Sequence, residues 1–188
     1  MAALLAATTS IAATRANGQA ALPAFATAVE THKSMVYSIA WQFLRDRVAA
    51  DELAEDVFLQ LHKNWSRIES PAHLMFWLRK VATHRAIDAA RKRKAQAETS
   101  LEETDEPTVL ERVHDSFLSS YLQRMVASLP EKQRSVIVLR YQEEMELEEI
   151  AKLLSMNVST VKTQISRGLE LLRGKVSRRL GKGNEQQQ

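Results

Sequence analysis

The feature that most constrains the fold is a helical periodicity that stops once and then resumes, between Glu146 and Arg173. The apolar residues of its first half recur at spacings of three and four: Leu147, Ile150, Ala151 and Leu154. This spacing predicts one amphipathic helix. A polar break over residues 155–157 follows, and Ser159 is placed to cap a second helix by accepting hydrogen bonds from its free amides.

The second helix has two different faces. Its predicted inward positions are Val161, Ile165, Leu169 and Leu172. The opposite face carries side chains that donate or accept hydrogen bonds: Thr160, Lys162, Thr163, Gln164, Ser166 and Arg167. About fourteen residues give a rod of roughly 20 Å, which can enter a major groove. A DNA-binding helix-turn-helix is the favoured interpretation, and a helical hairpin with a solvated polar face is the alternative.

Charge is segregated along the chain, although the net charge is only +3. Residues 79–94 contain seven basic side chains and one acid, and residues 162–182 repeat that ratio. Between them, residues 98–115 carry seven acids and one arginine. Solvated faces usually mix both signs, so two basic blocks favour contact with phosphate.

Several classes of protein are disfavoured by what the sequence lacks. Without cysteine there is no disulfide framework and no thiolate metal site, and the five histidines show no ligand spacing. No Gly-rich phosphate loop and no nucleophile with its base is recognisable, so an enzyme is not expected. We expect no cofactor and no metal. The sequence has no run of about eighteen apolar residues, so no membrane span is predicted.

The pattern predicts an all-α fold of two small helical domains joined by a flexible acidic linker. Residues 1–22 are predicted to be a disordered or frayed extension, 23–95 the first domain, 96–115 the linker, 116–181 the helix-turn-helix domain and 182–188 a disordered tail. Turns are expected at residues 45–50 and 64–72.

Two helices of the first domain carry distinctive faces. The helix from Asp51 to Trp65 is acidic on its outer side, which suits a protein partner better than DNA. The helix from Leu74 to Lys94 places aromatic residues beside the basic block. Such a combination suits unpaired bases, because rings stack on bases while Arg and Lys follow the backbone.

The order of these elements resembles the extracytoplasmic-function (ECF) group of sigma-70 family sigma factors. The resemblance covers roughly residues 25–180 and is carried by DELAEDVFLQLHKNW from Asp51, FWLRKVATHRAIDAARKRKA from Phe76 and the long segment SLPEKQRSVIVLRY through LELLR from Ser128. It implies a subunit that directs core RNA polymerase to promoters. A polymerase-independent helix-turn-helix regulator is the alternative.

The resemblance also implies partners and site residues. The clamp of core polymerase would be contacted by Asp51, Glu52, Leu53, Glu55, Asp56, Val57 and Phe58. The minus-10 promoter element would be opened and bound by Trp65, Arg67, Phe76, Trp77, Arg79, Lys80, Thr83, His84, Arg85, Arg91, Lys92 and Arg93. The minus-35 element would be read by Ser159, Thr160, Lys162, Thr163, Gln164, Ser166 and Arg167, while the second domain also contacts the polymerase flap. A cytoplasmic location is implied, with an anti-sigma protein as a further plausible partner and no membrane insertion.

Four positions depart from the family pattern. Glu55 stands where Gln is common, His84 where Asn is common, and Gln164 where Arg is frequent. Ser155 occupies a turn position where Gly is usual, so a positive φ there would be strained.

The length of the linker limits what the chain can do alone. About twenty residues extend to at most roughly 70 Å, but a flexible coil of that length averages only about 25 Å. Two DNA elements about two helical turns apart are about 70 Å apart. We therefore expect polymerase to hold the domains apart, and the domains of the free protein to approach and mask their basic faces.

Overall fold

A computed structural model describes residues 22–99 and 117–184, and within them the regular structure is helical. This confirms the predicted all-α class. The helices are α1 (Phe25–Leu44), α2 (Arg47–Asn64), α3 (Pro71–Thr99), α4 (Phe117–Ala127), α5 (Glu131–Ile137), α6 (Leu147–Leu154) and α7 (Val158–Asn184). A 3₁₀ turn, Trp65–Arg67, follows α2, and a π-helical turn, Val138–Gln142, follows α5.

The first unit is a bundle of α1, α2 and α3 around one apolar core. The stripe that α2 contributes, Leu53, Val57 and Leu61, has the four-residue spacing that keeps side chains on one face. This stripe packs on Val36 and Ile39 of α1. It also packs on the apolar face of α3, which consists of Leu74, Leu78, Ala82 and Ala86. Burial of each large side chain stabilises the bundle by about 1.5–3 kcal/mol.

The connection between α1 and α2 is tighter than the predicted turn at residues 45–50. Arg45 adopts a left-handed conformation with φ 53°, and Asp46 then caps α2 by accepting a hydrogen bond from the Ala49 amide at 3.1 Å. Arg93 of α3 donates to the other Asp46 oxygen at 2.7 Å. These hydrogen bonds, the Ala49 amide first, lower the pKa of Asp46 below its ordinary value of 3.8.

We expect Asp46→Ala to lower the free energy of unfolding by about 1 kcal/mol at neutral pH, because the cap of α2 is lost. The folded pKa is depressed, so this stabilisation is complete above the ordinary pKa and disappears as the pH falls through the folded value. Urea titrations at pH 7 and near pH 3 measure both values. Asp46→Asn, which keeps an acceptor, is the control, and an Ala variant as stable as the Asn variant at pH 7 contradicts the cap.

The second unit contains α4 to α7, with a core centred on the helix-turn-helix. Its fully buried side chains come from α5, the π-helical turn, the loop before α6, α6 and α7: Val136, Leu139, Met145, Ile150, Leu153 and Val161. Helices α5 and α7 approach closely at Gly168, where an added Cβ would lie 3.0 Å from Ile137 Cγ1. Gly168 therefore sets the distance between the two helices.

Some predicted boundaries need correction. The helix α3 continues to Thr99, so the first four residues of the predicted linker, 96–99, are helical. The helix α7 continues to Asn184, so residues 182–184 are not a tail. The end of α3 is extended by residues compatible with helix, whereas α7 continues through Gly181 and Gly183 in spite of their low helix propensity. Residues 1–21, 100–116 and 185–188, which include most of the predicted extension, linker and tail, lie outside the described residues.

The two units pack against each other. Gln42 of α1 is buried and donates to Gln142 Oε1 at 2.9 Å, and Gln142 Nε2 lies 3.1 Å from Ser38 Oγ. Leu154 packs on the core of the first unit, and Phe76 on that of the second. Within the described ranges no helix is long and apolar enough to cross a membrane.

Candidate nucleic-acid and polymerase interfaces

The helix-turn-helix consists of α6, a three-residue turn and α7. Glu146 begins α6 with a reciprocal capping box, in which Glu149 Oε2 accepts from the Glu146 amide at 3.0 Å. At the end of α6, Ser155 has φ 54° and ψ 44°, and the Met156 amide donates to the Ala151 carbonyl at 2.9 Å. Ser155 therefore adopts the positive φ that glycine usually accommodates at such a turn.

Asn157, rather than Ser159, caps α7. The Thr160 amide donates to Asn157 Oδ1 at 2.7 Å, and the Ser159 hydroxyl donates to the same oxygen at 2.8 Å. The helix already includes Val158, so Ser159 lies in its first turn and the predicted capping role was wrong. An Asn side chain three residues before a free amide is placed to cap it, and this signal was present in the sequence.

The predicted recognition face of α7 is largely accessible. Ser159, Lys162, Thr163, Ser166 and Arg167 are exposed, whereas Thr160 and Gln164 are half-buried. Gln164 Oε1 accepts a hydrogen bond from Gln133 of α5 at 2.7 Å. This contact orients the amide of Gln164.

A shallow basic depression of about 350 Å³ lies beside this face. Arg140 and Tyr141 line it from the π-helical turn, and Lys162, Ser166 and Arg173 line it from α7. Arg140, Tyr141 and Arg173 were missed as site residues. Arg140 and Arg173 offered only basic charge as a sequence signal, and Tyr141 offered none. The positions of Arg140 and Tyr141 beside α7 depend on how the π-helical turn packs against it.

We expect Ser155→Gly to raise the free energy of unfolding by about 0.5–1 kcal/mol. Glycine removes the Cβ repulsion of the left-handed conformation, and this gain exceeds its entropic cost. Denaturant titration of the two chains measures the difference. Ser155→Ala keeps the Cβ and is the control, so an equal gain in the Ala variant would show that strain is not the cause.

The basic face of α3, predicted to bind the minus-10 element, is covered in part by the second unit. Arg79 donates to Glu143 Oε2 at 3.2 Å and to the Glu143 carbonyl at 2.7 Å. The Glu143 side chain is only 6% exposed, which makes this a largely buried ion pair. Because the low dielectric of the interface strengthens charge interactions, the pair is a principal contact between the units.

Three further α3 residues contact the second unit. His84 Nε2 lies 2.8 Å from the Leu153 carbonyl at the end of α6. Lys152 Nζ lies 5.3 Å from the centre of the Phe76 ring. Arg91 makes two hydrogen bonds to Glu131 of α5, at 2.7 and 2.8 Å. The contacts therefore extend over about four turns of α3.

The other residues predicted for the minus-10 element lie within or around the first unit. Arg85 pairs with Asp56 at 2.9 Å, Arg93 with Asp46, and the Trp65 ring stands edge-on to Phe25. Trp77 is half-buried, as its spacing favoured, while Arg67, Lys80 and Lys92 are exposed.

Thr83 corrects the predicted site. It is fully buried against the core, and its hydroxyl has no hydrogen-bond partner among the described residues. It therefore does not lie on the surface that DNA would approach. Its neighbours His84 and Lys80 share the outer face because they follow the helical spacing.

A groove between α1 and α2 forms a third surface. It measures about 1050 Å³ and is lined mostly by apolar side chains: Phe25, Val29, Tyr37, Ala54, Phe58 and Leu59. Its polar lining consists of Asp51 and Glu55 together with Lys33, Ser34 and His62. Glu52 and Asp56 are exposed nearby, whereas Leu53 and Val57 are buried beneath the surface and correct the predicted contact set. Leu59 is 61% exposed and was not among the predicted contacts, although an apolar residue between the acids of this helix and Lys63 was visible in the sequence.

The described residues contain no group of three or more side chains suited to hold a metal ion.

Two family models match the chain. Sigma-70 region 2 matches residues 28–96, and sigma-70 region 4 matches residues 119–172. SigW, an ECF RNA polymerase sigma factor of Bacillus subtilis strain 168, is 31% identical over 163 residues, and the match covers 80% of this chain and 87% of SigW. The chain belongs to the ECF sigma factors of the sigma-70 family. It is a sigma factor that directs RNA polymerase to promoters, and the polymerase-independent alternative finds no support.

Two solved structures share the fold. RpoE from Bartonella quintana, solved with the anti-sigma factor NepR, superposes with a TM-score of 0.70 at 17% identity, covering 81% of this chain and 96% of that one. CnrH, solved with the cytosolic domain of CnrY, superposes at 0.60 and 20% identity, covering 81% and 87%. This sigma factor therefore has the helical architecture of both.

Proposed function

We propose that the two helical units of this sigma factor divide promoter recognition between them. The first unit, residues 23–95, docks on core polymerase and binds the minus-10 element, and the second, residues 116–181, binds the minus-35 element. The observation that carries the proposal is the exposed polar face of α7 in a complete helix-turn-helix. Exposed Lys162, Thr163, Ser166 and Arg167 can reach base edges and phosphates together.

The groove between α1 and α2 is the docking surface for the clamp of core polymerase. An apolar floor with exposed Leu59 supplies area to bury, and the acids at the rim favour a basic partner surface. The acidic face would repel DNA phosphates. Protein and DNA thus contact different sides of the first unit.

The closed contact between the units is incompatible with promoter binding. Phe76, Arg79, His84 and Arg91 contact the second unit, and the same residues are proposed to bind DNA. Units in contact also do not span the roughly 70 Å between two elements about two helical turns apart. Docking on the clamp and the flap would therefore separate the units and expose α3.

The remaining proposals concern the chain's setting. It acts as a binding subunit in the cytoplasm and not as an enzyme. An anti-sigma protein is a further proposed partner, supported by the complex in which RpoE was solved with the anti-sigma factor NepR. Such a partner could act by stabilising the closed contact.

Run-off transcription with core RNA polymerase tests the proposal. We expect promoter-specific transcripts only when this chain is added. Leu59→Arg is expected to reduce them at least tenfold, because a charged side chain would enter the apolar docking surface. Val48→Arg, at a valine 67% exposed on the same helix, is the control. No transcript across a genomic template library, or equal loss in both variants, contradicts the proposal.

A further inference from the structure

The contact between the two units does not cover the groove between α1 and α2. The α1 residues that bond to the second unit, Ser38 and Gln42, are not among those that line the groove. Leu59, which does line it, is 61% exposed. A large exposed apolar surface usually marks a site of contact with another segment or protein. The groove therefore calls for an occupant in the free chain.

The chain reaches one end of this groove just as α1 begins. Phe25, the first residue of α1, lines the groove, and its ring stands edge-on to His62 with 5.1 Å between the ring centres. Leu22 packs on the core of the same unit. From Phe25 the groove follows α1 as far as Tyr37, about 18 Å away at the rise of an α-helix. The segment that precedes Leu22 thus starts beside the groove.

Residues 1–21 lie outside the described ranges, but their composition suits an apolar groove. No charged side chain occurs before Arg15. At helical spacing Leu4 and Ile11 share one face, because seven residues make about two turns, and Leu5 lies next to them. Such a face can be buried without removing a charge from water.

The sequence also supplies the reversal that would bring this segment over the groove. Asn17 and Gly18 form a dipeptide typical of turns, because both residues tolerate a left-handed backbone. The dipeptide stands between the apolar segment and Leu22. Residues 2–14 would form a helix of about 20 Å, which matches the length of the groove along α1.

We propose that residues 2–14 fold back and bind as a helix in the groove between α1 and α2, with Leu4 and Ile11 against its apolar lining. A helix this short is marginal in water alone, so the groove would stabilise it. The consequence rests on the proposed function, in which the same groove receives the clamp of core polymerase. The segment and the clamp would then compete, and the free chain would keep its docking surface covered.

A nitroxide label on the full chain tests the docking directly. The chain contains no cysteine, so Ser10→Cys provides a single attachment site. We expect the methyl resonances of Val29 and Leu59, which line the groove, to lose intensity through paramagnetic broadening. Absence of broadening overturns the inference. So does broadening that is equally strong in a mixture of nitroxide-labelled chains with isotope-enriched chains lacking the label, because the contact would then be between two copies.

Two double variants of the labelled chain carry the same added charge on different faces of the segment. Leu4→Asp with Ile11→Asp places two acids on the apolar face and should abolish the broadening. Ala6→Asp with Ala13→Asp places them on the opposite face at helical spacing and should leave it. Equal loss in both variants overturns docking through the apolar face.

Affinity for core polymerase separates failure of this inference from failure of the proposed function. A segment docked in about two-thirds of free chains weakens polymerase binding about threefold, so acids on its apolar face should raise the affinity by that factor. Broadening with unchanged affinity supports the docked segment and contradicts the groove as the clamp site. Loss of transcription in Leu59→Arg without any broadening overturns the docked segment and leaves the clamp site supported.

Discussion

We expect Glu143→Gln to shift the equilibrium between the closed and open arrangements of the two units about thirtyfold toward the open one. The change leaves Arg79 partly buried without its counter-charge, which costs the closed contact about 2 kcal/mol. The chain contains no cysteine, so dyes can be attached at Lys63→Cys and Glu170→Cys, two exposed positions in different units. Energy transfer between them should fall in the Glu143 variant.

The adjacent Glu144 provides the matched control. It is exposed and carries the same charge, so Glu144→Gln should leave energy transfer unchanged. The open Glu143 variant should also bind single-stranded DNA more tightly, because Phe76, Arg79 and His84 become available. High transfer retained in Glu143→Gln would show that the ion pair does not hold the units together.

Arg167→Ala is expected to reduce transcription by about ten- to a hundredfold at promoters that depend on the minus-35 element. Arg167 is exposed on the proposed recognition face of α7, and the loss of one bidentate base contact there would cost about 1–3 kcal/mol. Transcripts from a library of promoters that differ in the minus-35 element would be counted for the unsubstituted chain and for Arg167→Ala. The substituted chain should lose discrimination at one or two positions rather than lose activity uniformly.

Arg178→Ala distinguishes base reading from general charge. Arg178 is exposed on the same helix, about three turns further along, and donates to the Gly174 carbonyl. Its loss should change transcription less than about twofold. If both variants lose activity equally and keep the same base preferences, α7 binds DNA through charge alone.

The sequence predicted those parts of the molecule that depend on local spacing. Helical periodicity predicted α2, α3, α6 and α7. The sequence left open whether Ser155 would be strained or the turn would differ, and its positive φ supports the first of these. Errors arose where several short polar residues compete for one role, as at Asn157 and Ser159. Thr83 was misplaced because a β-branched polar residue within a basic block does not reveal that its face is buried.

Contacts distant in sequence could not be predicted. Arg79 and Glu143 are separated by 64 positions, and the sequence predicts an exposed charged side chain at each. Their pairing is visible only once the two units are packed together. The groove proposed for docking likewise depends on the packing of α1 beside α2. The approach of the domains was expected from the linker length, but not the residues that mediate it.

The most direct test of this account is promoter binding by the free chain and by the chain bound to core polymerase. Fluorescence anisotropy with a promoter fragment identified by run-off transcription, at physiological salt, measures both. We predict specific binding only with core polymerase, and less than about tenfold preference for promoter over unrelated DNA without it. Tight, promoter-specific binding by the free chain would contradict the account, because the closed units would then not mask the DNA-binding surface.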